Sequence, residues 1–330
     1  MVTTRKSRVE ENGQTETLRS PRPGLTMKSM AEFQEQFLPP MFGVEFCVAL
    51  VGNAVGLWLM VMRERRRSWH TGLVFSCNLA ASDLLYALTL PLLVAYYSDG
   101  KRWRFGPAAC KAERFLFTCN LYGSVLFVTG ISVNRYVGVV HPFFARSHVR
   151  PRHAAAACVL VWACVVALSA PVLSFAGACP KNASVECSST CARADEPRHF
   201  AYSVFLAVVG CLLPLLATAA CYAAIFRVVW RNSNITLAEK KKVGLMVAAV
   251  LVLYAVSFVP YHVLRNYYLY QKLNNGTTLK VYKAYQVSKG LVTLNMCLHP
   301  LLYMALIGSV RTLCCGGGER GDTPAPAGQK

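Results

Sequence analysis

The sequence predicts an all-α membrane protein, a bundle of seven membrane-spanning helices followed by a short amphipathic eighth helix. Three observations predict it. Hydrophobic residues make up 54% and charged residues only 15% of the 330 positions, where soluble domains average roughly a quarter charged. The charges are gathered into short basic clusters between long apolar runs. Seven of those runs reach the ~17–25 residues that a helix needs to cross a bilayer. A soluble enzyme, a disordered chain and a collagen-like fibre are excluded. The formal net charge of +19 does not point to nucleic acid, because the basic residues alternate with apolar stretches rather than forming one face.

The predicted spans are residues 40–62, 71–97, 115–140, 154–175, 201–230, 243–268 and 282–306. They are helices because a backbone in lipid must satisfy its own hydrogen bonds. Prolines at 91, 171, 214, 260 and 300 fall inside five of them, which membrane helices tolerate. Residues 1–39 are polar and mixed in charge and form a disordered N-terminal domain. Residues 40–306 are the membrane domain, and residues 307–330 hold the amphipathic helix and a disordered Gly/Pro-rich tail. Cys314 and Cys315, just beyond that amphipathic segment, suit palmitoylation. The first loop, Arg63-Glu64-Arg65-Arg66-Arg67, is strongly basic. By the positive-inside rule it lies in the cytoplasm and the N-terminus lies outside. The sequons at Asn182 and Asn275 then fall in outer loops, where glycosylation is expected.

The outer face departs from that rule. Lys101, Arg102, Arg104, Lys111 and Arg114 surround the start of the third span. Arg265, Lys272, Lys280, Lys283 and Lys289 lie between the sixth and seventh. From Pro197 to Gly318 there is one acidic residue, Glu239. Snorkelling anchors explain part of this, but Arg114, Arg265 and Lys289 sit at facing helix ends and read as a vestibule for an anion.

The motifs then identify a family. Gly52-Asn53, Leu79-Ala80-Ala81-Ser82-Asp83, Asn134-Arg135-Tyr136, Trp162, Pro214 with Tyr222, Pro260 and His299-Pro300-Leu301-Leu302-Tyr303 occur in order at the right spacings. The chain thereby resembles the rhodopsin-like (class A) G-protein-coupled receptors from about Phe37 to Cys315. Within that class it resembles the metabotropic purinoceptors, through Glu113-Arg114-Phe115-Leu116-Phe117-Thr118-Cys119-Asn120-Leu121 and His141-Pro142-Phe143-Phe144-Ala145-Arg146-Ser147-His148. Val259-Pro260-Tyr261-His262-Val263-Leu264-Arg265 and His299-Pro300-Leu301-Leu302-Tyr303-Met304-Ala305 carry the same likeness. Receptors for carboxylates share part of this basic pattern.

The resemblance implies a plasma-membrane receptor for an extracellular nucleotide, ATP favoured, that activates a heterotrimeric G protein through the phospholipase C or adenylyl cyclase branch. It needs no cofactor or metal. Arg114, Arg265 and Lys289 match the phosphate positions, although relatives usually have Arg where Lys289 stands, and Lys lacks the planar fork. Tyr122, His262, Tyr285 and Gln286 match further pocket positions. Phe117 takes the place of the acid that pairs with amine ligands. Cys179, Cys187 and Cys191 are all open to Cys110 on sequence alone, and the resemblance favours Cys187. The family's second bridge, from the N-terminus to the third outer loop, is missing, so Cys179 with Cys191 is a candidate local substitute. Arg135, Tyr136, Tyr222, Phe258, Pro260 and Tyr303 match the activation switch, and Arg135 with Phe143 the G-protein contact.

Two departures carry expectations of their own. Asn134 replaces an acid beside Arg135, and Lys240 stands where many relatives have another. That predicts a weak resting lock, with Glu239 as a partial substitute. Asp83, Ser124 and Asn295 match a sodium pocket in which His299 replaces the usual Asn or Asp. If His299 faces Asp83, weak sodium sensitivity and pH-dependent signalling follow. No nucleophile elbow, P-loop or metal pair suggests an enzyme. A heptahelical transporter is the remaining alternative.

Overall fold

A computed structural model describes residues 23–64, 71–181, 184–274 and 276–315. The helices are α1 (Pro23–Glu64), α2 (Thr71–Ala87), α3 (Leu90–Ser98), α4 (Gly106–Val140), α5 (Pro142–His148), α6 (Pro151–Ser169) and α7 (Val172–Phe175). After a hairpin of β1 (Gly177–Lys181) and β2 (Ser184–Ser188) come α8 (Glu196–Phe205), a π-helical turn at Leu206–Leu212, α9 (Leu213–Arg231), α10 (Leu237–Leu273) and α11 (Leu279–Cys315). The spans are therefore α1, α2 with α3, α4, α6 with α7, α8 to α9, α10 and α11. Six of them, among the described residues, carry an apolar stretch long enough to cross a membrane. The seventh, α11, carries Lys280, Lys283 and Lys289 in its first half.

Every span but the second starts earlier than hydropathy alone indicates, because turn chemistry rather than lipid sets the helix ends. Proline occupies the first turn of α4, α6 and α8, where its missing N–H is no loss. A capping box of Thr236 and Glu239 opens α10. The first helix begins at Pro23 instead of Pro40 and runs through Pro39 and Pro40, so part of the expected disordered N-terminus is helical. Phe33 stacks on Phe37 there with ring centroids 5.3 Å apart. At the other end α11 continues to Cys315 without a break. The segment expected to form a separate eighth helix prolongs the seventh. Pro91 and Pro171 each break their span in two, at the α2–α3 and α6–α7 joints.

Helix α4 is the central post, packed by α2, α6 and α9, while α1 lies against α2, α3 and α11, and α10 against α9 and α11. Close contact with α2 depends on Gly130, where a Cβ would stand 2.9 Å from the Phe75 ring. Polar ties cross the bundle where lipid offers no alternative partner. Asn53 donates to the carbonyls of Ala49 (2.9 Å) and Met296 (2.8 Å), joining α1 to α11. The Trp162 indole donates to Asn78 at 2.9 Å, joining α6 to α2. The outward face of α1 is apolar, with Val44, Val48, Val51 and Val55 exposed at helical spacing. In water that stripe would be costly, and in a bilayer it is the expected surface.

Both disulfides, Cys110–Cys187 and Cys179–Cys191, lie at one end of the bundle. The first ties the start of α4 to β2. The second closes the hairpin loop on itself. Trp103 locks the neighbouring loop down, donating its backbone N–H to Val185 at 2.8 Å and its indole N–H to Gly106 at 2.7 Å.

Candidate ligand site and polar core

A cavity opens at the disulfide end between α4, α7, α8, α10 and α11. Arg114, Phe117, Arg265, Tyr285 and Lys289 all line it, so five of the eight sequence-predicted pocket residues share one space. Arg114 is anchored by a hydrogen bond from Nη2 to the Cys187 carbonyl (3.1 Å), so the first disulfide positions a cation. Arg265 donates to the Tyr261 hydroxyl at 3.3 Å and lies 3.5 Å from His199 Nε2. Lys289 Nζ sits 5.4 Å from the Phe117 ring centre and 5.7 Å from that of Phe42, a cation–π cradle. Its ammonium is held by ring faces, and its carbon chain is buried.

Tyr122 and His262 do not line that cavity. They lie deeper, their ring centres 5.9 Å apart. Neither the Tyr122 hydroxyl nor either His262 ring nitrogen has a hydrogen-bond partner among the described residues. Gln286 is buried on α11 and is absent from the cavity wall. Sequence reasoning missed His199, Tyr261, Val172, Phe175, Ser189 and Thr118, which complete the lining. Thr118 and Tyr261 stand four residues from Arg114 and Arg265 on the same helices, a spacing that could have marked them, whereas only the packing of α7, α8 and the segment after β2 turns the others inward.

Neither of two acids at this end was expected beside the cations. Glu113 is 1% exposed and pairs with Arg114 Nε at 3.2 Å. Glu45, on α1, is 2% exposed and accepts a hydrogen bond from Thr293 at 3.0 Å. The basic vestibule is thus not free of carboxylates. Glu113 could have been noticed from its place next to Arg114, whereas Glu45 stands out in the sequence as an acid inside the first span, and only packing brings it to this site.

Below this level His299 does face Asp83. Its Nδ1 lies 2.7 Å from Asp83 Oδ2, and Asn120 donates to the other carboxylate oxygen at 2.9 Å. Asn120 was not foreseen. Asn295 is bonded instead to Ser257 at 3.0 Å, and Ser124 is buried nearby.

At the opposite end, Arg135 Nη1 lies 3.3 Å from the Met246 sulfur. The Tyr136 hydroxyl lies 3.2 Å from His141 Nε2. Tyr222 and Phe258 are buried, Pro260 is inside α10, and Phe143 is 87% exposed. Glu239, expected as a substitute partner for Arg135, is engaged by the backbone N–H (3.0 Å) and hydroxyl (2.9 Å) of Thr236. Lys240 donates to the Trp230 carbonyl at 3.0 Å. Asn182, Asn275 and the side chains of Tyr303, Cys314 and Cys315 lie outside the described residues.

Comparison with known proteins agrees with this architecture. Residues 52–303 match the 7 transmembrane receptor (rhodopsin family). The chain is 44% identical over 311 residues to human purinoceptor 11, covering 86% of this chain and 83% of that protein. It is 37% identical over 279 residues to chicken purinoceptor 1, covering 82% and 76%. Human purinoceptor 1 is 36% identical over 279 residues, covering 82% and 74%. Seven spans, the motifs that tie them together and these relatives converge: the chain belongs to the rhodopsin family of seven-transmembrane receptors and, within it, to the metabotropic purinoceptors, a family of receptors rather than enzymes.

Proposed function

We propose that the protein is a plasma-membrane receptor for an extracellular nucleotide, ATP favoured, that signals through a heterotrimeric G protein at the end opposite the disulfides. The observation that carries this reading is that Arg114, Arg265 and Lys289, from three different helices, line one cavity. A phosphate chain needs several converging cations in a partly dry space, since each charge-assisted hydrogen bond contributes ~1.5–3 kcal/mol. Phe117 offers no counter-ion to an organic cation. The unpartnered Tyr122 hydroxyl and His262 ring offer donors and acceptors to a nucleoside reaching beneath the phosphates. Disulfides form in oxidising compartments, which supports an extracellular site and an N-terminus outside. The names of the similar purinoceptors support the ligand class.

Signalling is then a shift in population. Agonist binds more tightly to a state in which α10, hinged at Pro260, moves away from the end of α4 that carries Arg135. Tyr222 and Tyr303 are the switch side chains for this step, and Arg135 with exposed Phe143 meets the G protein. The test is a calcium and cyclic-AMP dose response in intact cells at matched surface expression. Arg265→Ala is expected to raise the half-maximal nucleotide concentration roughly tenfold to a hundredfold. Unchanged potency would overturn the reading.

A further inference from the structure

The cation set has an internal counter-ion. Three cations, Arg114, Arg265 and Lys289, face the cavity. Two carboxylates, Glu113 and Glu45, are buried at the same end of the bundle, and Glu113 is in contact with one of the cations. The arrangement is uneven. Arg114 has Glu113 in contact at 3.2 Å. Glu45, on α1, lies three residues beyond Phe42, whose ring forms part of the Lys289 cradle, and it accepts from Thr293, one turn along α11 from that lysine. Arg265 has no carboxylate partner among the described residues, only Tyr261 and His199.

A purely structural role does not account for these acids. Among the described residues, neither carboxylate oxygen of Glu113 accepts a hydrogen bond, nor does Oε2 of Glu45, and the nearby Tyr86 hydroxyl is also without a partner. Burying a carboxylate with so few donors is costly. For Glu113 it becomes tolerable through the contact with Arg114, so that acid is tuned to the charge of the cage.

We propose that Glu113 is a specificity-determining residue of this site, setting which phosphate-chain charge the cavity accepts by offsetting the charge of Arg114. The proposal rests on the nucleotide reading above. The polyphosphate and Glu113 compete for the same cation. A ligand charge added to the chain gains attraction from Arg265, from Lys289 and from whatever part of Arg114 the acid leaves uncompensated. Removing the acid therefore strengthens binding of long chains more than short ones.

The experiment measures potency of adenosine mono-, di- and triphosphate at fixed pH and salt, for the unmodified receptor and for Glu113→Gln. In the variant the gain in potency per added ligand charge is expected to steepen by roughly tenfold, as Coulomb's law gives for unit charges about 12 Å apart at an effective dielectric constant of about 20. Glu113→Asp, which keeps the charge, is expected to return the original slope. If Glu113→Gln fails to reach the surface, Glu113→Ala is read in the same way. Parallel shifts across the series, or an unchanged slope, would show the acid to be structural and overturn the inference alone. An unmodified receptor silent to all three nucleotides would overturn the nucleotide reading and this inference with it.

Discussion

Asp83 shows how one exchanged residue alters a site whose other members are retained. Both of its oxygens are engaged, one by Asn120 at 2.9 Å and the other by His299 at 2.7 Å. A bound sodium ion would have to share those oxygens with their present partners, and a protonated His299 would repel it. The unmodified receptor is therefore expected to show little sodium inhibition of agonist binding. His299→Asn, which removes the possible positive charge, is expected to restore it in membrane binding assays. Strong sodium inhibition before any substitution would count against this account. The residue itself was legible in the sequence, as a departure inside His299-Pro300-Leu301-Leu302-Tyr303. That Asn120 completes the carboxylate's shell was not, because Asn120 is 37 positions away from Asp83 and only the packing of α2 on α4 brings them together.

Among the elements, the π-helical turn at Leu206–Leu212 depends most on one residue. The wider turn brings the Gly210 backbone against the Tyr122 ring, so closely that a Cβ would overlap its edge. Tyr254 caps the same turn, donating to the Cys211 carbonyl at 2.9 Å. Gly210→Ala must displace a fully buried tyrosine. The expected cost is ~1–3 kcal/mol, as for overpacking elsewhere, read as a lowered melting temperature of the purified receptor in detergent. Gly43→Ala, with nothing within 4 Å of the added carbon, is the control and should not lower it. Hydropathy cannot reveal such a turn, because π- and α-helical segments in lipid have the same composition. For the same reason it located the spans but not the helix ends, which proline and the Thr236–Glu239 box set outside the apolar stretches.

For the whole molecule, ligand at one end must change the other, so the resting state has to be held across the full length of the bundle. The end of α4 lacks the acid that commonly accompanies its arginine, since Asn134 stands there. Glu239 is committed to capping α10 through Thr236. Arg135 contacts the neutral Met246 sulfur on α10 at 3.3 Å, a weak hydrogen bond beside an ionic one. Asn134→Asp is expected to lower ligand-independent signalling, measured as basal inositol phosphate or cyclic AMP at equal surface expression. An unaltered basal level that is already at background would refute it.

The sequence by itself determined the membrane class, the seven spans and the family. These are consequences of local composition and of motifs read along one chain: a run of apolar residues must become a helix in lipid whatever surrounds it. It also named Arg114, Arg265 and Lys289, because their charge is anomalous where it occurs. Only the tertiary structure decided what surrounds those cations. The field inside a cavity sums over side chains from α1, α4, α10 and α11, and low dielectric makes each of them count. Glu45 reads as an isolated acid in an apolar run until α1 packs against α11 and brings it to Thr293, one turn from Lys289.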